Sequence, residues 1–119
     1  MQYLLVFLGG GIGSLCRFWI AEAFKNQDSA FPWPTLIANF VASFLLGCFL
    51  VWFADGLLGD KERWLLIVGF CGGFSTFSTF SAETYVLFSE GQLGLALAYA
   101  LGSVCLCVIA VFGAFVLLK

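Results

Sequence analysis

The chain has 119 residues, of which 62% are hydrophobic and only 10% are charged, whereas a soluble domain usually has roughly 25% charged residues. A soluble chain this short cannot cover so much apolar surface, so the composition predicts an all-α integral membrane protein surrounded by a lipid bilayer. The net charge of −2 comes without a basic patch, which excludes a nucleic-acid-binding surface.

Four segments are apolar enough to cross a membrane as helices, each of which needs about 20 residues. Pro34 is well placed to begin the second of them, because proline is favoured in the first turn of a helix. The predicted spans are residues 3–24, 35–54, 64–88 and 95–118. The sequence therefore predicts one four-helix transmembrane domain over residues 1–119.

The loop charges specify the orientation of the chain only weakly. Lys61, Arg63 and Lys119 lie on one side of the predicted membrane, and Lys25 lies on the other, joined by Arg17 if that side chain reaches the surface. The positive-inside rule needs a clear excess on one side. The small bias permits insertion in both orientations, and hence an antiparallel dimer, without establishing either.

The first span combines closely spaced glycines with a charged residue. Gly9 and Gly13 have the G-x-x-x-G spacing that lets two helix backbones approach closely. Arg17 lies several residues inside the span, where one interpretation is a side chain that extends to the membrane surface. The other is a cation in an aqueous vestibule, where it raises the local concentration of anions. No cleavable leader is expected, because Arg17 interrupts the apolar region.

The second span contains Asn39, with Ser43 on the same helix face. A polar side chain in hydrocarbon costs free energy unless it is paired or hydrated. One interpretation of Asn39 is a hydrogen bond to a neighbouring helix. The other is a pair of N–H donors offered to an anion.

The third span is the most informative, because glycines and hydroxyl residues fill its middle from Gly69 to Ser81. Such residues weaken a helix and compete for its backbone groups. The sequence therefore predicts a helix break between Gly72 and Thr79, where freed carbonyl groups would suit a hard cation such as sodium. The role of Glu83 is left open between a vestibule, a contact with a partner helix and a protonated carboxyl.

The same span repeats phenylalanine every three residues, at Phe74, Phe77 and Phe80. Treated as a continuous helix, it would place these rings in one slowly drifting stripe. Packing is the usual role of such a stripe, but aromatic ring edges carry a positive partial charge that attracts anions. A hydrated anion would be stabilised there without a buried lysine or arginine that holds it too tightly.

The fourth span places Tyr99, Ser103 and Cys107 one turn apart on one face. Their hydroxyl and thiol groups form a short polar track, which is a weak indication of permeation. The five cysteines all lie in apolar stretches and no histidine is present, so small buried side chains are favoured over a zinc site or a disulfide framework.

Together these features resemble the Fluc (CrcB-type) fluoride channels, and the run from Gly69 to Ser81 followed by Glu83 is the most specific part of the resemblance. The resemblance covers nearly the whole chain. It implies an antiparallel (dual-topology) homodimer in the cell's inner (plasma) membrane, with two fluoride pores and a structural sodium ion between the copies. It also implies passive export of fluoride, which lowers the cytoplasmic concentration and its toxicity.

Carried over by position, the resemblance assigns roles to individual residues. It places Arg17 in the vestibule and gives the backbone carbonyls of Gly72 and Ser75 to sodium. The residues that it assigns to the fluoride pore are Asn39, Phe77, Ser78, Thr79, Phe80, Tyr99 and Ser103. Two positions depart from the family pattern: Ser75 stands where many members have threonine, and Cys107 stands where some have serine.

Two other functions fit the size of the chain. A small dual-topology drug/proton exporter needs an ionisable acid deep in the first span, but Arg17 is the deep residue here and Glu22 lies near the end. A structural or regulatory membrane subunit does not require Asn39 beside a broken, hydroxyl-rich helix. No nucleophile–base pair or catalytic metal motif is present, so an enzyme is not expected.

Overall fold

The computed structural model describes residues 1–119, and every regular element in it is helical. The helices are α1 (Gln2–Ala23), α2 (Trp33–Ala54), α3 (residues 60–74), α4 (Phe77–Ser89) and α5 (Leu93–Leu118). Four stretches are long and apolar enough to cross a membrane, the third being the interrupted stretch Asp60–Ser89. The predicted all-helical protein with four membrane spans is confirmed. The third span begins at Asp60, before the predicted residue 64, because the charged loop already forms its first turn.

Glycines end two of the helices with the same hydrogen-bond pattern. Gly56 after α2 and Gly91 after α4 have φ angles of 74° and 77°, which glycine adopts without steric cost. In each case the glycine N–H and the next N–H bond back to carbonyls of the last turn. This is the Schellman arrangement, and it lets the chain reverse within a few residues.

Helix α3 changes its hydrogen-bond pattern along its length. A first turn at Asp60–Glu62 leads into a π-helix at Arg63–Cys71, and an α-helical turn at Gly72–Phe74 follows. A π-helix of nine residues is long compared with the single π-helical turns that usually occur inside α-helices. Such turns are frequently found near functional sites. Here the π-helix ends shortly before the interruption of the third span.

The interruption itself covers two residues, Ser75 and Thr76. Both have extended backbones, with φ/ψ of −78°/156° at Ser75 and −149°/117° at Thr76. The break predicted between Gly72 and Thr79 is therefore confirmed. The predicted stripe of phenylalanines is wrong, because the break turns the chain between Phe74 and Phe77. Phe74 is buried against Ala38 and Ala42 of α2, whereas Phe77 is 76% exposed.

Helix α1 packs mainly against α3, and α2 packs mainly against α5. The first pair is held at close range by glycines from both helices. A Cβ atom on Gly9, Gly13 or Gly73 would overlap backbone atoms of the opposite helix. The close helix contact predicted from the G-x-x-x-G spacing is present, and its partner is the segment that leads into the break.

Most of the apolar surface of one copy is not covered by the copy itself. Only 19 of 119 residues are buried, and the hydrophobic clusters among them are small, with four and three buried residues. One cluster contains Leu36, Leu87, Ala96 and Tyr99. Many large apolar side chains are exposed on the surface of a single copy, which is stable in lipid or against another copy but not in water.

Replacing Gly13 with alanine should destabilise the protein, because the new methyl group would meet the backbone of Phe70 and Phe74. Overpacking of this kind costs about 1–3 kcal/mol. Thermal unfolding of the purified protein in detergent should therefore begin at a lower temperature. Gly11→Ala is the matched control, because a Cβ at Gly11 has open space within 4 Å. Equal midpoints for the two variants would contradict the close packing of α1 on α3.

Candidate functional site

The backbone of the broken helix is paired by a side chain from α2. The Thr76 N–H donates to Asn39 Oδ1 at 2.7 Å, and the Thr76 carbonyl accepts from Asn39 Nδ2 at 3.2 Å. A backbone group that leaves a helix inside a membrane must find such a partner. Asn39 therefore makes the interhelical hydrogen bonds that one sequence interpretation expected. An amide has two N–H groups, and the second stays available for a ligand.

Thr76 caps the helix that restarts after the break, and this role was missed in the sequence. Its Oγ1 accepts from the Thr79 N–H at 3.2 Å, as an N-cap threonine does. The same Oγ1 lies 3.2 Å from Thr79 Oγ1 and 3.3 Å from Ser78 Oγ. Hydroxyl groups of three residues thus gather at the start of α4. A threonine at the end of a glycine-rich break, followed by a helical segment, is the signal that could have identified it.

A cavity of about 290 Å³ lies between α2, the break, α4 and α5; we call it the main cavity because it contains more of the predicted pore residues than any other. It brings together Asn39, Phe77, Phe80 and Ser103 from the predicted set, with Ser75 from the predicted sodium site. The Phe77 and Phe80 ring centroids are 5.5 Å apart and tilted by 42°. The other residues that line the cavity are Ser43, Thr76, Val104 and Cys107. The lining combines neutral hydrogen-bonding groups with aromatic rings and includes no charged side chain.

Two hydroxyl groups beside this cavity are buried without a hydrogen-bond partner. They are Tyr99 Oη and Ser103 Oγ, on residues that are 0% and 5% exposed. Ser103 lines the main cavity; Tyr99 does not, and instead packs its ring against Phe80 at a centroid distance of 5.2 Å. Buried polar groups are normally paired, and an unpaired one in a membrane costs several kcal/mol. The pair therefore indicates a place for water or a hydrogen-bond-accepting ligand.

A second cavity of about 250 Å³ contains Arg17. The Arg17 side chain is half-buried and forms no salt bridge within the chain. Ser14, Thr35, Thr76 and Thr79 line the same cavity. A cation surrounded by hydroxyl groups fits the aqueous vestibule better than simple extension to the membrane surface. Thr76 lines both cavities, so the helix break separates them.

Glu83 contacts a neighbouring helix, which is one of the three possibilities that the sequence left open. Its carboxylate accepts a hydrogen bond from the Thr35 hydroxyl at 2.5 Å. Thr35 is 7% exposed and lines the Arg17 cavity. Sequence reasoning placed Thr35 only at the start of a span and missed this role. The signal was Glu83 itself, because a carboxylate inside a span requires a hydrogen-bond donor.

The carbonyl groups of Gly72 and Ser75 have lost their usual helical partners. The Thr76 N–H, which would bond the Gly72 carbonyl in a continuous helix, bonds Asn39 instead, and the Ser75 carbonyl accepts no hydrogen bond within the chain. Gly72 and Ser75 both line a small cavity of about 160 Å³. The Ser75 hydroxyl donates a hydrogen bond to the Cys71 carbonyl at 2.9 Å. Uncharged carbonyl oxygens of this kind fit a hard cation such as sodium.

Comparison with known proteins identifies relatives along almost the whole chain. The family model described as "CrcB-like protein, Camphor Resistance (CrcB)" matches residues 4–115. A protein of Koribacter versatilis is 39% identical over 99% of this chain and 95% of its own length. One of Thermus thermophilus is 46% identical over 86% and 82%, and one of Rhodopseudomonas palustris is 38% identical over 100% and 98%. Each of the three is named "Fluoride-specific ion channel FluC".

Asn39→Leu should destabilise the fold, because it leaves the Thr76 N–H and carbonyl unpaired in the membrane interior. Each lost partner costs about 1–3 kcal/mol, so thermal unfolding in detergent should shift clearly to lower temperature. Ser81→Ala is the control, since that exposed hydroxyl bonds only the Phe77 carbonyl of its own helix at 2.8 Å. If both variants unfold at the same temperature as the parent protein, the Asn39–Thr76 hydrogen bonds do not stabilise the break.

Proposed function

The chain belongs to the CrcB-like family, and we propose that it is a fluoride channel that exports cytoplasmic fluoride passively. It is a multi-pass protein of the cell membrane, in bacteria the inner (plasma) membrane. The observation that carries the proposal is the cavity at the helix break, where the Asn39 amide and the edges of Phe77 and Phe80 lie beside the unpaired, buried hydroxyl of Ser103. The channel lowers intracellular fluoride and so protects the cell from its toxicity. It performs no enzymatic reaction.

The chemistry of the main cavity suits a small, strongly hydrated anion. Fluoride must replace its water with hydrogen-bond donors, and the Asn39 amide and the Ser103 hydroxyl supply them. The edges of Phe77 and Phe80 add positive partial charge without a formal cation. A lysine or arginine in the same cavity would bind the ion more tightly than rapid release allows. Arg17, the cation nearest the break, lines the other cavity.

The two cavities define an order of steps across the membrane. Fluoride is attracted into the Arg17 cavity, which serves as the vestibule, and sheds water in stages. The hydroxyls of Ser78 and Thr79 meet it at the break, and Asn39 and the two phenylalanines receive it in the main cavity. Ser103 and Tyr99 continue the row of hydroxyls along α5. Hydrogen fluoride enters a cell from more acidic surroundings as a neutral molecule and dissociates inside, so passive outflow of the anion lowers its concentration.

A second, inverted copy completes the transport unit in this proposal. Phe77 is 76% exposed, so one face of the main cavity is open in a single copy. The small number of buried residues leaves ample apolar surface for a dimer within the lipid. The weak charge bias of the loops permits the opposite orientation of the partner. Sodium would bind the Gly72 and Ser75 carbonyls of both copies and hold the dimer together.

Purified protein in liposomes loaded with potassium fluoride should release fluoride when valinomycin provides a path for potassium. Liposomes loaded with potassium chloride should release little chloride under the same conditions, because the proposed pathway excludes larger halides by its width. A fluoride-selective electrode and a chloride-selective electrode measure the two releases. Absence of fluoride release from correctly reconstituted protein would reject the function.

Substitution within the cavity tests the ring-edge role in the same assay. Phe77→Ile and Phe80→Ile keep an apolar side chain but remove the positive ring edge, and each should slow fluoride release at least about tenfold. Phe112→Ile is the matched control, since Phe112 lies on α5, is 68% exposed and lines none of the cavities described. Equal rates of fluoride release in all three variants would show that neither Phe77 nor Phe80 contributes to the pathway.

Sodium should raise the thermal stability of the purified protein relative to potassium at the same ionic strength. The reason is that sodium occupies carbonyl oxygens that otherwise lack partners, and a bound ion stabilises only the folded state. Ser75→Ala should keep this response, because it removes the hydroxyl and leaves the carbonyl in place. Loss of the sodium response in Ser75→Ala would indicate that the hydroxyl, not the carbonyl, binds the ion. Equal thermal stability of the parent protein in sodium and potassium would argue against the sodium site.

A further inference from the structure

Cys107 places a free thiol in the main cavity. Its side chain is half-buried and lines the cavity with Asn39, Phe80 and Ser103. Ser103 lies one helical turn earlier on the same face, is 5% exposed and has a hydroxyl without a hydrogen-bond partner. A thiol and an unpaired hydroxyl therefore line the same cavity. The thiol and the Ser103 hydroxyl together form a candidate binding site.

The other four cysteines have different surroundings. Cys105 is exposed on α5 and lines none of the cavities described, while Cys16 packs against a buried cluster beside α2. Cys48 is 7% exposed within α2, and Cys71 is 4% exposed and lines the small carbonyl cavity. Cys107 is thus the one thiol that shares a cavity with the proposed fluoride-binding groups.

We propose that Cys107 binds a soft monovalent metal ion, such as Ag⁺, and that the bound ion closes the fluoride pathway. This inference rests on the proposed channel function. The thiol S–H bond breaks, its proton goes to the buffer and an S–Ag bond forms, with no change of oxidation state. Thiolate sulfur prefers soft metal ions, whereas fluoride is a hard ligand and does not compete for silver.

The charge of the cavity allows this ligand to enter. No lysine or arginine lines the main cavity, so a small cation meets no fixed positive charge there. The unpaired Ser103 hydroxyl offers an oxygen lone pair beside the sulfur. A metal ion bound to Cys107 takes up the space beside Ser103 through which fluoride passes in the proposed pathway. Occupation of Cys107 therefore blocks the pathway physically.

Fluoride release from liposomes in chloride-free nitrate buffer tests the proposal, with silver nitrate as the probe. Silver should slow release by the parent protein at least about tenfold, and excess dithiothreitol should restore it. Each variant is compared with its own rate before silver is added. Cys107→Ser should lose the inhibition, whereas the matched control Cys105→Ser should keep it. Equal inhibition of Cys107→Ser and the parent would overturn the proposal.

Bound silver provides a readout that is independent of transport. Native mass spectrometry should find one silver ion fewer per chain when Cys107→Ser is added to a protein that already carries Cys16→Ala, Cys48→Ala, Cys71→Ala and Cys105→Ser, because Cys107 is then the last thiol in the chain. If the multiple substitutions prevent folding, the same difference is measured between the parent and Cys107→Ser alone. No difference overturns the site. Failure of fluoride release before any silver is added rejects the channel function instead, so the two failures are distinguishable.

Discussion

The pairing of Asn39 with the backbone of Thr76 is the interaction on which the site depends. A membrane helix cannot stop in hydrocarbon unless its freed N–H and carbonyl groups find partners. One amide side chain provides both at a single residue, with distances of 2.7 and 3.2 Å. The carbonyl of the preceding residue, Ser75, has no such partner and is available to a ligand.

The position of the break is fixed from its other side by helix packing. The glycines of α1 and α3 bring two backbones into contact along the π-helix and the turn that follows it. A Cβ atom added at Gly9, Gly13 or Gly73 would meet backbone rather than a flexible side chain, so these positions keep the two helices at this distance. The break therefore lies between two constraints: close packing against α1 before it and the Asn39 hydrogen bonds at it.

The local sequence predicts the spans and the break, because both arise from composition over neighbouring residues. Apolar stretches of sufficient length give the four crossings, and the glycine and hydroxyl residues after Gly69 give the interruption. The pairing of Thr35 with Glu83 joins residues 48 apart in the chain, and that of Asn39 with Thr76 joins residues 37 apart. No local periodicity encodes such partners. The predicted phenylalanine stripe failed for a related reason, since the expected break already invalidated a continuous helical period.

One interruption of one helix provides for ions of both signs. On its α3 side the Gly72 and Ser75 carbonyls lack helical donors, and unpaired carbonyls attract cations. On its α4 side Thr76 collects hydroxyls, and Asn39 keeps a spare N–H, which are donors that attract anions. A continuous helix would use the Gly72 and Ser75 carbonyls and the Thr76 N–H in its own backbone hydrogen bonds, and it would leave Asn39 without its partner at Thr76. The proposed sodium and fluoride sites are therefore two consequences of the same backbone geometry, and a change that straightened the helix would remove both together.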